Sequence, residues 1–190
     1  MDPPIAETWA AMESLVRKGL VRSIGVSNFS TKKLTQLLAT AALPVSIVQC
    51  EAHPYWRNDA LVDFCAKRGI HFTAFSPMGS PDSADIFKRS APPLLDDAAV
   101  RAAASEAGGD AGRALVKWAL QARPGCSVLP KSVNTGRITG NAQVAGWALS
   151  DGAVAALSSR PVQARSVHGG VFLHPSGPYR TLADLWDDDE

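Results

Sequence analysis

Short apolar runs alternate with amphipathic stretches along most of this chain, and that alternation leaves few folds open. Residues 21–26, 46–52 and 70–75 read as strands whose starts lie about 25 residues apart, the compact end of a strand–helix–strand repeat. Between them the apolar period changes to that of a helix. Ile5, Trp9, Met12 and Val16 share one face of a helix over 5–18, with Asp2-Pro3 before it and Gly19 after it. Ser30 is placed to cap a second helix that turns Leu34, Leu37 and Leu38 inward. Asn58 opens a third, with Leu61, Phe64 and Cys65 on its apolar side and Gly69 as its stop. The pattern predicts an α/β fold around a parallel sheet.

The fourth strand, 126–129, comes much later. A Pro/Ser/Asp-rich loop (77–93) and two helices precede it, one capped near Asp96 and one near Asp110, with Gly108-Gly109 between them. After it come a helix from Asn134 or Thr135 to about Val144 and a short one over 150–157. Residues 160–190 turn rich in Gly, Pro and His and end in an acidic run; a loop of that length is a lid, a binding loop or a frayed end.

Composition removes several functions. Hydrophobic residues make up 46% of the 190 residues and charged ones 19%, so the chain can build a globular core. A net charge of +1 with no basic block argues against nucleic acid and anionic membranes as partners. No apolar run is long enough to span a bilayer, and residues 1–16 do not resemble a secretory signal. Cys50, Cys65 and Cys126 are odd in number and widely spaced, which predicts buried thiols in a reducing, cytoplasmic compartment. Without an export signal, the sequon Asn28-Phe29-Ser30 reads as a chance match.

Polar residues gather where the strands end: Ser27-Asn28, then Gln49, Glu51 and His53, then Ser76, then Lys131-Ser132. In a parallel sheet or barrel those carboxyl ends share a face, and that face carries the site. Gln49 and Glu51 strengthen the inference, because a polar residue inside a strand needs a partner. The last strand end is the most specific. Lys131, the Ser132 hydroxyl and the amides of the helix that follows can converge as an anion site, or form a solvated helix start with two surface cations, Arg137 lying in that helix's first turn.

Single residues stay open to two readings. Phe75 can stack on a planar ring or belong to the core. His53 can serve as a base or as a hydrogen-bonded structural residue. Tyr55 can donate a proton or pack its amphipathic ring at a strand edge. Lys131 can hold an anion or form a Schiff base. The chain has no Gly-rich dinucleotide fingerprint, no P-loop and no metal-ligand spacing.

Four segments together resemble the aldo-keto reductases: residues 21–29 from Val21 to Phe29, 49–55 from Gln49 to Tyr55, 75–80 from Phe75 to Ser80, and 129–133 from Leu129 to Val133. The ending from His174 to Arg180 and on through Leu185-Trp186-Asp187 is similar to the plant-type branch of that family. The likeness runs in order along essentially the whole chain. It implies an NADPH-dependent oxidoreductase that reduces aldehydes and ketones by hydride transfer on an eight-stranded TIM (β/α)8 barrel.

By position, the resemblance implies that Ser27, Asn28 and Gln49 bind the nicotinamide carboxamide and that Phe75 stacks on the ring. Ser76, Pro77, Met78 and Ser80 would line the pyrophosphate. Lys131, Ser132, Val133 and Arg137 would take the adenosine 2′-phosphate and adenine, favouring NADPH over NADH, and Asn141 would reach the adenine edge. Phe75 stands where many members have tyrosine, and Gly140 where many have glutamate. The family's proton-donor tyrosine and its lysine, aspartate and histidine partners belong to the first half of the barrel. The expectation is therefore that residues 1–190 form approximately strands five to eight, with 160–190 as a substrate loop or tail, and hold no catalytic residue. Alone, the chain would be an inactive NADP(H)-binding module that pairs with itself or with a first half to act on a small carbonyl substrate.

Overall fold

The computed structural model describes residues 3–83 and 91–187, so part of the expected 77–93 loop and the acidic end lie outside the described residues. Strands β1 (Gly25–Ser27), β2 (Ile47–Glu51), β3 (His71–Phe75) and β4 (Ser127–Leu129) make one sheet in the order β1-β2-β3-β4, and the β1–β2 and β3–β4 pairs are parallel. The chain is α/β, as the alternation predicts. Among the described residues no helix is long and apolar enough to cross a membrane. The described chain forms two compact units, one of residues 3–50, 59–72 and 169–187, the other of 51–58, 73–83 and 91–168.

In the first unit, β1 is shorter than expected and starts later. Leu20 and Val21 are exposed at 69% and 37%, and the ladder begins only at Gly25. A β-carbon there would come within 2.3 Å of the Ile47 carbonyl oxygen, so glycine is what allows β1 to approach β2. Helix α1 (Ile5–Arg17) buries Trp9, as its periodicity predicts, but it also buries Glu13. The Glu13 carboxylate accepts from the amides of Ala42 (2.7 Å) and Leu43 (2.9 Å) and pairs with Arg17 at 2.8 Å, which is how a charge survives inside.

Helix α2 (Thr31–Leu38) starts where Ser30 predicts. The Ser30 hydroxyl accepts from the Lys33 amide at 3.0 Å, a cap that contributes about 1 kcal/mol. The same hydroxyl donates to Asp187 at 2.6 Å, and Lys33 donates to Asp187 and to the Leu185 carbonyl. These bonds fasten the short helix over Leu182–Trp186, itself closed by a Thr181–Asp184 capping box, so this part of the C-terminal stretch is anchored. Helix α3 (Asp59–Ala66) buries Leu61 and Cys65.

The second unit is built on α4 (Ala98–Glu106), α5 (Ala111–Gln121), α6 (Thr135–Ala142) and α7 (Asp151–Ser158); the Leu182–Trp186 helix of the first unit is α8. Its core joins Leu94, Val100, Leu115, Trp118, Leu149 and Leu157, with alanines of α4 and α5 allowing close packing between them. Asp97, not Asp96, caps α4, accepting from Ala99 at 2.8 Å and Val100 at 3.3 Å; Asp96 belongs to a preceding 3-10 turn. Asp110 caps α5 as expected. The three cysteines are thiols, with Cys50 and Cys65 buried and Cys126 half-buried just ahead of β4.

Candidate functional site

The site lies in the second unit, where β3 and β4 end. Beyond β3 the chain turns sharply: Ser76, Gly79 and Ser80 have φ of 50°, 71° and 48°. Left-handed backbone at a non-glycine residue is strained, and such strain collects at functional loops. Here the Gly79 amide donates to the Ser76 carbonyl at 2.9 Å, and the Ser76 and Ser80 hydroxyls lie 2.6 Å apart. Both hydroxyls therefore face one point.

Beyond β4, Asn134 caps α6 by accepting from the Arg137 amide at 3.0 Å. The Ser132 hydroxyl accepts from the Asn134 amide at 3.1 Å. Two amides of the helix start are thus already used, so an anion held here would depend more on the cations than the sequence suggests. The Lys131 ammonium meets the Asp82 carboxylate at 3.0 Å across the mouth, both side chains about 70% exposed (70% and 71%). That exposed, paired ammonium is not the desolvated amine a Schiff-base lysine requires.

Between these two strand ends lies a cavity of about 750 Å³. Ser76, Pro77, Met78 and Ser80 line it from the β3 side, and Lys131, Ser132, Arg137 and Asn141 from the β4 side; Asp110 to Gly112 at the start of α5 close it. The Ser76 and Ser80 hydroxyls belong to one side of its lining and the Lys131 and Arg137 side chains to the other.

Eight of the expected residues therefore come together, and five do not line this cavity. Ser27, Asn28 and Gln49 group in the first unit, where Ser27 pairs with Gln49 in register and the Asn28 amide donates to the Gln49 carbonyl at 3.0 Å. Phe75 ends β3 half-buried, and Val133 is 87% exposed. Gly140 has a neighbour that explains its size. A β-carbon there would lie 3.2 Å from Cδ of Arg113, whose side chain covers the spot a larger residue would fill.

Two buried networks lie among residues 51–58 and 91–168. Glu51, 2% exposed, accepts from the Ser166 amide at 2.5 Å, the Val167 amide at 3.0 Å and the His53 imidazole at 2.8 Å. Burial pushes its carboxyl up, but His53 and the Val167 and Ser166 amides outweigh that and hold it below the usual carboxylate range. His53 is the hydrogen-bonded structural residue of its two readings. In the second network the Tyr55 hydroxyl donates to Asp97 at 2.5 Å, and Arg160 pairs with the same oxygen at 2.8 Å. Burial first, then Asp97, pushes the Tyr55 hydroxyl up to about 12, which suits a packing role better than proton donation. Asp97, Arg160 and Ser166 escaped the sequence reading. Asp97 had a readable signal as a cap before an alanine run; the others had none.

Residues 1–160 match the family model described as the aldo/keto reductase family. The chain is 41% identical over 192 residues to aldo-keto reductase family 4 member C11 of Arabidopsis thaliana, an alignment covering 98% of this chain and 58% of that protein. It is 40% identical over 182 residues to an aldo/keto reductase of Synechocystis, with 95% and 55% covered. A protein of Emericella nidulans named as a probable NAD(P)H-dependent D-xylose reductase is 41% identical over 157 residues, with 81% and 49% covered. The chain spans about half the length of these curated relatives. On the family match, in agreement with the motifs at its strand ends, this chain belongs to the aldo/keto reductase family.

Proposed function

We propose that residues 1–190 form the cofactor-binding half of an NADPH-dependent carbonyl reductase, corresponding to strands five to eight of an eight-stranded barrel. The observation that carries this reading is the cleft between the ends of β3 and β4, where two serine hydroxyls and two cations line about 750 Å³. Ser76, Met78 and Ser80 would hold the pyrophosphate, with Pro77 shaping the wall. Lys131, Ser132 and Arg137 would bind the 2′-phosphate, the guanidinium being suited to two-pronged contact with phosphate oxygens. Val133 and Asn141 would border the adenine. Ser27, Asn28, Gln49 and Phe75 would serve the nicotinamide end. When bound, the cofactor supplies hydride; these residues bind and orient it. The name of the Emericella relative supports a nicotinamide cofactor without choosing between its two forms.

The reading assigns no catalytic residue to this chain. Tyr55 is buried and donates to Asp97, and Tyr179 packs near the Lys33 ammonium at 5.5 Å. The proton donor would come from polypeptide beyond these 190 residues, and the carbonyl substrate would be chosen there and by residues 160–190. Titration with NADPH and NADH, followed by quenching of tryptophan fluorescence, tests the cofactor assignment. NADPH should bind roughly tenfold more tightly, the worth of a charge-assisted phosphate contact. Equal affinity for the two would remove the 2′-phosphate from the proposal.

A second reading, a self-associating half-barrel, draws on exposed apolar side chains in the strands. Ile47 on β2 is 37% exposed and Leu129 on the edge strand β4 is 54% exposed. A barrel interior left open would bury such residues by pairing. Size-exclusion chromatography at micromolar concentration should show dimers or larger species; a stable monomer removes this reading.

A further inference from the structure

The loop from Ser76 to Ser80 lines the cavity, and Gly79 within it has buried neighbours. Gly79 faces the Ser166 hydroxyl, which would lie 3.2 Å from a β-carbon at that position. Ser166 is 4% exposed and belongs to a stretch, 160–169, that has no helix or strand of its own. Such a stretch keeps its place only through side-chain and backbone anchors. One anchor is the Ala164 amide, which donates to the Tyr55 carbonyl at 2.6 Å. The strongest is Glu51, which accepts from two successive amides, Ser166 and Val167. The His53 Nε2 completes the group, 2.8 Å from the Glu51 carboxylate and 3.1 Å from the Ser166 hydroxyl. With that nitrogen donating to the carboxylate, Nδ1 is left without a partner among the described residues, so the imidazole is oriented from one side only.

We infer that Glu51 is a positioning residue: by clamping the Ser166–Val167 backbone it presses the Ser166 hydroxyl against Gly79 and fixes the Ser76–Ser80 wall of the cavity, which Glu51 itself does not line. The clamp stands on geometry within the second unit. It rests on the proposed cofactor reading only for what the cavity holds. A carboxylate suits the task because it offers two acceptor oxygens to two parallel amides, whereas a glutamine offers one oxygen and turns a donor toward the other amide.

Hydrogen–deuterium exchange on the whole chain, resolved by segment, tests the clamp. In Glu51→Gln, amides of 76–80 and of 164–167 should exchange roughly tenfold faster, while those of α4 and α5 keep their rates. In Ser166→Ala the backbone bonds to Glu51 survive, so acceleration should be confined to 76–80. Should Glu51→Gln fail to fold, the serine variant alone decides. Unchanged exchange at 76–80 in the folded variants, or equal acceleration everywhere, overturns the clamp, since general destabilisation moves every segment alike. NADPH titration on the same samples should show roughly tenfold weaker binding in both variants. A wild-type chain that binds no NADPH refutes the cofactor reading, and the exchange pattern still decides the clamp.

Discussion

The floor and the rim of the second unit handle charge in opposite ways. Below, Glu51 and Asp97 are 2% and 7% exposed, and their carboxylates are met by amides, an imidazole, a phenol and a guanidinium. Above, Lys131 and Asp82 are about 70% exposed, and Arg137 is exposed in the first turn of α6. A buried charge must be fully satisfied or it destabilises the fold, while an exposed pair contributes little. The floor therefore gives this unit its form, and the exposed rim contributes little to it. Changes in the floor should register as stability, and changes in the rim as affinity.

The largest expected effect is at Asp97. Replacing it with alanine strips the Tyr55 hydroxyl, the Arg160 guanidinium and two α4 amides of one acceptor group. Denaturant unfolding should show a loss of about 3–5 kcal/mol, the usual result of breaking a buried ionic network. A loss below about 1 kcal/mol would place Asp97 with the rim and erase the contrast.

Next come Lys131→Ala and Arg137→Ala. Each should weaken NADPH binding roughly tenfold and leave NADH binding and the unfolding midpoint nearly unchanged. A fall in stability equal to that of Asp97→Ala would mean the rim also supports the fold.

Tyr55 offers a smaller effect on the floor, visible through pH. Its hydroxyl is pushed up to about 12 in the folded chain, while an unfolded tyrosine titrates near about 10. The folded state thus holds a proton that the unfolded chain releases first. Stability from this group is complete below pH 10 and falls as pH rises toward 12. Tyr55→Phe should flatten that part of the stability curve relative to wild type. Matching slopes for the two proteins would show that the phenol is not held in its neutral form.

How much of this could be read beforehand follows the same division. The rim was legible because its chemistry is local: Lys131, Ser132 and Arg137 declare themselves within seven residues of sequence, and Ser76 to Ser80 within five. Ser30, Asp110 and the start of α6 were legible for a similar reason, since a cap is a pattern of neighbours. The floor was not. Glu51 meets Ser166 across 115 residues and Tyr55 meets Asp97 across 42, and no periodicity links such positions. Glu13 was hidden for the same reason, its amide partners lying 29 and 30 residues away on the chain. The early expected start of β1 had another cause, because apolar Val21 continued a run whose ladder pairing begins only at Gly25.

The smallest expected effect refines the rim itself. Asp82 holds the Lys131 ammonium at 3.0 Å, so an arriving phosphate must compete with a carboxylate already in place. Because both groups are exposed, the pair is screened by water and salt and gives up little when broken. Asp82→Asn should therefore raise NADPH affinity only about two- to threefold at low salt, with the gain shrinking as ionic strength rises. Stability should not move, since neither group is buried. Weaker binding in that variant would assign Asp82 the opposite role, that of fixing Lys131 where the phosphate needs it, and the rim would then be preorganised in the same sense as the floor.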